Sequence, residues 1–417
     1  MRKPLHQHII FHVKKYHRHI TKYLYERDTI MATLWVFMFI FLVKVIPMPN
    51  IHYWDPIEKS LEDFDFNDIT YSQLKKPDNF DSHVIIVNIG ELDRAELAML
   101  IDKTASMGPK AIGLDATMDG PREPFKDSMM RAAIDRNDNL VIAGRFNPGE
   151  GEVEASYSHN YFYTPATKEG YVNFFTKEWQ TVRIWNPFNK LDKSESSKEY
   201  KSFAAALIEM YDPKAYQALV KRHNRIETIN YTRGTHQYLV VEPHDVMEGT
   251  VEPGYFKDKI VLLGYIDDNP ENIEDKKYTP LNVESAGKSI PDLNGIVIHA
   301  NIISMVLDHK YIKKLPLWVT ILVAVLIGWL HMSFFIRYYL ENHIWFHLVA
   351  KFAQLLSAIF FVFVGIRFFE KYRINLDMSL TLVVIVLAVD IIYFYEAFAV
   401  WLHKKFGYST IFHQKHH

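Results

Sequence analysis

Residues 84–116 read VIIVNIGELDRAELAMLIDKTASMGPKAIGLDA, and this stretch decides the fold. Its first six residues, 84–89, form an apolar run of the kind found in strands buried on both faces. Residues 92–107 then carry apolar side chains at helical spacing and stop at Gly108-Pro109, a helix-ending pair. Residues 111–116 return to a short strand. Working outward, 125–136 has a helical pattern and 140–143 (LVIA) supplies a third strand. The order β-α-β-α-β predicts a largely parallel sheet with right-handed crossovers. Further strands are expected at 227–231 (ETINY), 238–241 (YLVV) and 259–264 (KIVLLG). Residues 295–309 are expected to open extended and become a helix leading toward a membrane. The region 145–200, rich in Gly, Pro, Ser and aromatic residues, reads as a long excursion from the sheet.

The membrane is legible in four apolar runs. Residues 30–43 (IMATLWVFMFIFLV) carry no charge, and Lys44 can snorkel, so the run is long enough to cross a bilayer. Runs at 317–336, 344–366 and 378–402 are also long enough to span. Residues 1–28 hold seven Lys and Arg against two acids, which places that end in the cytoplasm. No small-x-small cleavage site follows the first run, which favours an uncleaved anchor over a signal peptide. The expected organisation is a basic cytoplasmic segment 1–28, a first span 29–46, an external domain 47–314, three further spans and a cytoplasmic tail 403–417. The fold class is therefore an α/β extracytoplasmic domain, a largely parallel sheet with flanking helices, joined to an α-helical membrane domain of four spans. Residues 55–74 ahead of the sheet have Ile57, Leu61 and Phe64 at helical spacing, and a helical neck is expected there.

Charge follows the same partition. The chain of 417 residues has a formal net charge of −2. Residues 47–314 hold 31 Lys and Arg against 42 Asp and Glu, a net −11, and the remainder is basic. Near-neutrality overall argues against nucleic acid as a partner. The absence of cysteine excludes disulfides, thiolate metal sites and a Cys nucleophile. Phosphate-loop, zinc-protease and nucleophile-elbow motifs are absent. No enzymatic activity and no cofactor are expected.

Several stretches in order carry a resemblance: Glu62-Asp63-Phe64-Asp65, the VIIVNI strand, residues 108–115 (GPKAIGLD), Gly170-Tyr171-Val172-Asn173 followed by Arg183, residues 256–264 (FKDKIVLLG), Tyr278-Thr279-Pro280, and residues 295–301 (GIVIHAN). Together, over about residues 55–312, they resemble the type-2 CHASE family of bacterial extracytoplasmic sensory domains. The resemblance implies one span, a sensory domain and usually three more spans in a bacterial cell (inner) membrane, with signal transduction as the task. Family members usually carry a kinase or cyclase output domain beyond the last span. About 15 residues follow that span here, so the output is expected on a partner protein.

Candidate residues follow from chemistry. Asp115 ends the second strand, where open α/β sheets bind ligands; capping the next loop is its plainer role. Arg183 matches the family's arginine after the glycine-rich turn, and either clamps an anion or pairs with one of the many acids. Asp267, Asp268, Glu271, Glu274 and Asp275 form an acidic loop, but Asn272 and Tyr278 break the EF-hand pattern, so no metal is assigned. His299 and Asn301 are polar in an apolar run and need partners. His6, His8, His12, His17 and His19 could bind metal or read pH, but among Lys14, Lys15 and Arg18 they suit an anionic lipid surface better.

Inside the spans, Lys351, Asp390 and Glu396 are costly, of order 2.5–3.5 kcal/mol each. Lys351 and Glu396 are expected ~10 Å and ~9 Å from the inner face, close enough in depth to pair. Asp390, ~18 Å in, has no obvious partner at its own depth, although a long Lys351 side chain reaches part of the way. It either joins a structural polar cluster holding the helices together, or is protonated or faces another protein's span. The function expected is a non-enzymatic membrane protein with a sensory-type external domain, acting through partner subunits in signalling or envelope assembly. Membrane lipid is a partner, and self-association is open. The alternatives are a structural subunit that binds no ligand, and a component of a transport or proton pathway.

Overall fold

The computed structural model describes residues 23–45, 65–147, 155–176, 180–191, 198–269, 271–282, 290–341 and 345–415. They form two compact units, one of residues 67–312 and one made of the chain up to 66 and from 313 onward. The N-terminal histidine group and residues 55–64 of the expected neck lie outside the described residues. Of the rest of the neck, residues 70–74 form one wide helical turn. The first helix, α1 (Arg27–Val45), belongs to the second unit.

In the unit 67–312, one sheet contains β1 (Val84–Asn88), β2 (Ala111–Leu114), β3 (Leu140–Asn147), β4 (Ser156–Ser158), β5 (Lys168–Tyr171), β6 (Leu239–Val241) and β7 (Ile260–Gly264). Five strands run parallel in the order β6-β1-β7-β2-β3. The last of these strands along the chain, β7, takes the middle, and all five of its residues are buried. An apolar run such as IVLLG loses most by exposure, so it belongs where both faces and both edges are covered.

The sheet lies between helices. On one face, Ile85, Val87, Ile112, Ile142, Val261 and Leu263 pack with Leu97, Leu100 and Ile101 of α2 (Arg94–Ser106) and with Met130 and Ile134 of α3 (Pro124–Arg136). Asp93 starts α2 through a reciprocal capping box with Glu96. The other face receives α4 (Phe203–Tyr211), which is followed by α5 (Pro213–Val220). A short helix α6 (Pro243–Glu248) precedes β7, and α7 (Gly295–Leu307) joins α4 on its face.

Three expectations change. The region 145–200 returns to the sheet twice: Val141–Gly144 pair with β5 in parallel, and Arg145–Asn147 pair with β4 antiparallel. Without them the outer edge of β3 would present unpaired backbone groups. The expected strand 227–231 shrinks to Glu227–Thr228, which pairs with Ile184–Trp185 away from the main sheet. Residues 295–309 do not open extended. The extended step is Leu293–Asn294, paired with Lys276–Lys277, and α7 begins directly after it.

The second unit holds α1, α8 (Leu317–Glu341), α9 (Phe346–Tyr372) and α10 (Ser379–Phe406), all long and apolar enough to cross a membrane. The core joins Ala32 and Val36 of α1, Ala324 and Phe335 of α8, and Val384, Ala388 and Tyr395 of α10. Gly328 lets α8 approach α10 closely, since a Cβ there would lie 2.5 Å from Val384 Cγ1. Buried Asp28 at the start of α1 accepts from Tyr395 Oη at 2.6 Å, Thr410 Oγ1 at 3.0 Å and Ile411 N at 2.8 Å. These bonds tie the start of α1 to the end of α10. Lys313–Lys314 pair with Ile374–Asn375 and bring the start of α8 to the α9–α10 connection.

In the α/β unit one of the tight helix contacts is at Gly264, where a Cβ would lie 2.6 Å from Cγ1 of Ile296. Ile296 is β-branched, sits at the start of α7 and has little freedom to turn aside. Gly264→Ala is expected to cost about 1–3 kcal/mol, read as a lower melting temperature.

Candidate functional site

The carboxyl ends of the strands gather some of the expected residues. Asp115 follows β2, and its N–H donates to Leu263 O at 2.9 Å. Burial, reinforced by the charge of Asp275, pushes the Asp115 carboxyl up to about 7. Burial also raises Asp275, whose carboxylate lies beside the first residue of α7. Asp267 instead folds its own loop, accepting from Asn269 N at 2.8 Å and Asn272 Nδ2 at 2.5 Å. Asp268 points into solvent. Among the described residues, no group of three or more His, Asp or Glu could hold a metal ion.

Arg183, His299 and Asn301 lie elsewhere. Arg183 grips Asp68 in a two-pronged pair, with Nε 3.0 Å from Oδ1 and Nη2 2.5 Å from Oδ2. His299 sits between the rings of Phe174 and Phe203. Burial drives it down to about 3, opposed by a hydrogen bond to the Val172 backbone, so it is neutral at ordinary pH. Asn301 Oδ1 accepts from Thr232 N at 3.1 Å and Arg233 N at 3.2 Å, and its Nδ2 donates to Arg233 O at 2.8 Å. A mid-helix amide thus holds a neighbouring loop.

A buried ion network, unmarked in the sequence, ties the start of this unit to its end. Arg233 Nη1 lies 3.1 Å from Asp81, whose side chain is fully buried, and Nη2 lies 3.5 Å from Asp308. Lys310 bridges Asp308 at 3.1 Å and Asp78 at 2.9 Å. Ser304 Oγ donates to Asp81 at 2.6 Å. Asp78 and Asp81 come just before β1, while Asp308 and Lys310 follow α7. The two segments that lead the chain into and out of the unit are therefore clamped together.

One recessed site of this unit lies at the outer edge of the sheet. A cavity of about 440 Å³ opens between the β4–β5 edge and the segment 198–210. Tyr157 stacks on Tyr200 at 4.1 Å, and His159 stacks on Tyr163 at 3.9 Å. Beneath them, Glu169 has a side chain only 4% exposed and takes His159 Nδ1 at 2.6 Å and Asn160 N at 2.7 Å. None of these residues stood out in the sequence reading. The signal was Tyr157-Ser158-His159-Asn160-Tyr161-Phe162-Tyr163, five rings in seven residues.

In the membrane unit, the expected Lys351–Glu396 pair is replaced by another. Lys351 Nζ lies 3.9 Å from Asp390, and Glu396 accepts from Tyr339 Oη at 2.5 Å. The register between antiparallel α9 and α10 explains the change. His347 meets Tyr393 at 3.0 Å, and Gln354 Nε2 donates to Ile385 O and Val386 O at 2.8 Å, which leaves Lys351 level with Asp390. Depths counted from the ends of the apolar runs missed this because α10 extends beyond α9 at that end.

Two predictions follow from the charged groups of the α/β unit. Arg233→Met leaves Asp81 buried without its cation, and a loss of about 3–5 kcal/mol is expected in denaturant titration. Asp81→Asn added to that variant recovers part of it. The second concerns pH. The raised Asp115 favours the protonated fold, so its contribution is lost as pH rises through about 7. The lowered His299 contributes above its ordinary value of 6.5 and is lost as pH falls toward about 3. Asp115→Asn is therefore expected to gain about 1–3 kcal/mol above neutral pH, with almost no change near pH ~4, in melting scans across pH.

Residues 48–334, well over half of the chain, match the CHASE2 domain profile. No curated protein and no solved structure gives a significant match. A sensory-type domain together with four helices long and apolar enough to span fits a membrane sensory protein whose spans contact lipid. With its parallel sheet, flanking helices and the matched span, this chain belongs to the CHASE2 domain family.

Proposed function

We propose that the protein is a non-enzymatic membrane sensor that acts through a partner subunit bound at its spans. One observation carries this reading. Lys351 and Asp390 lie 3.9 Å apart within α9 and α10, and each side chain is 57% exposed on the outside of the membrane unit. Hydrocarbon cannot solvate that exposed half, and ionisable groups in spans face protein or water. A polar face on a partner's span satisfies it. The neighbouring surface of α9, with Leu348 and Leu355 more than half exposed, is free to receive such a helix.

In this reading residues 47–314 lie outside the cytoplasm, and the residues before α1 and after α10 lie on the cytoplasmic side. The basic flank of 1–28 supports that orientation. The Asp28 bonds, which bring the start of α1 to the end of α10, agree with it. The ion network of Asp78, Asp81, Arg233, Asp308 and Lys310 supports transmission, since a shift in the α/β unit moves both of its flanking segments together. The non-enzymatic reading is supported by the structural employment of Arg183 and Asn301.

The test is photo-crosslinking in the native membrane. A crosslinking residue at position 348 or 355 is expected to give a protein adduct, and one at 330 on α8 is not. The adduct's mass separates a second copy from a different subunit. Asp390→Leu combined with Lys351→Leu is expected to reduce the adduct at least tenfold. Adducts to lipid alone at 348 and 355 would defeat the proposal.

A further inference from the structure

We infer that the aromatic cavity at the outer edge of the sheet binds a neutral saccharide. The inference deepens the sensory reading of this unit by naming what this cavity takes. The volume, about 440 Å³, falls in the range of small-molecule sites, roughly 300–1,000 Å³, and suits one or two sugar rings.

The chemistry of the walls selects the ligand. Flat rings line the cavity as two stacked pairs, Tyr157 on Tyr200 and His159 on Tyr163. Ring faces carry negative charge density and attract cations or the weakly positive C–H face of a pyranose. A free cation is disfavoured, because Lys198 already lies 4.9 Å over the Tyr200 ring. An anion would meet the carboxylates of Glu169, Glu199 and Glu209. The lysines on the walls are also engaged: Lys201 pairs with Glu209 at 2.6 Å, and Lys168 Nζ donates to Asp138 O at 2.6 Å. Charge is thus balanced inside the cavity, and a charged ligand would lose its hydration without gaining a counter-ion.

A saccharide needs what remains. Its hydroxyls donate to carboxylates and accept from ammonium groups and from the Thr167 hydroxyl, while its C–H face rests on a ring. Glu169 fixes this arrangement from beneath. It orients His159 through Nδ1 and anchors the backbone at Asn160, so the rings are set before a ligand arrives. The acid is buried but fully bonded, which makes it a positioning residue.

The experiment uses the full chain in lipid nanodiscs, free of sugar-headed detergents. Saturation-transfer NMR is run with glucose, galactose, N-acetylglucosamine and their disaccharides, and with choline and acetate as charged probes. Transfer to the ring C–H protons of at least one saccharide is expected, with none to choline or acetate. Tyr163→Ala is expected to weaken that binding at least tenfold, and Tyr163→Phe to retain it. Tyr200→Ala is the second variant should Tyr163→Ala fail to fold. No transfer from any saccharide, transfer to choline or acetate instead, or binding untouched by both alanine variants overturns the proposal. The crosslink from position 348 or 355 is independent of all these outcomes. Its persistence without saccharide binding rejects the ligand class alone, and its loss with saccharide binding intact rejects the partner alone.

Discussion

A parallel sheet must be covered on both faces, and the rest of the α/β unit answers to that constraint. Strands β1, β2 and β7 are almost wholly buried. Helices α2 and α3 close one side, and α4 with α7 close the other. Close seating on the second side requires the sheet to be thin at Gly113 and Gly264, where side chains would collide with Phe203 and Ile296. The polar residues of α7 follow from the same packing. A helix buried along its length has no water for its polar groups, so Asn301 binds loop backbone and Ser304 binds Asp81. His299 stays neutral between two phenylalanine rings.

The edge of the sheet poses the opposite problem. Beyond β3 no further long apolar strand follows among the described residues, and short polar segments finish the ladder. Gly144 marks the point where the parallel and antiparallel halves meet, and a Cβ there would strike the carboxyl carbon of Glu169 at 2.8 Å. The aromatic cavity forms over this junction. The segments that repair an exposed edge thus also build a recessed surface of the unit. Loops on a rigid sheet commonly carry recognition in this way.

In the membrane unit, hydrocarbon leaves polar groups only one another. Tyr393 meets His347, Lys351 meets Asp390, and Gln354 meets two carbonyls of α10, so a single polar seam aligns α9 with α10. Asp28 does the same for α1 through Tyr395, Thr410 and the backbone of Ile411. Where the seam reaches the outer surface, at Lys351 and Asp390, it is half exposed.

The sequence by itself determined much of this protein. Apolar runs marked four spans, because a bilayer demands about twenty apolar residues in a row. VIIVNI, AIGL and IVLLG marked strands, because short apolar runs bounded by turn signals fit strands buried on both faces. The ordered short motifs pointed to the CHASE2 family, and the two polar residues of α7 were visible as polar residues in need of partners. Only the tertiary structure decided which groups meet. The middle position of β7, the pairing of Arg183 with Asp68, the Arg233 clamp, the Lys351–Asp390 register and the gathering of Tyr157, Tyr163, Glu169 and Tyr200 all join residues distant in the chain. Local spacing fixes a helix or a strand. It carries no information on which strand lies beside which, or on how far one helix extends past its neighbour, and the second of these sets Lys351 level with Asp390.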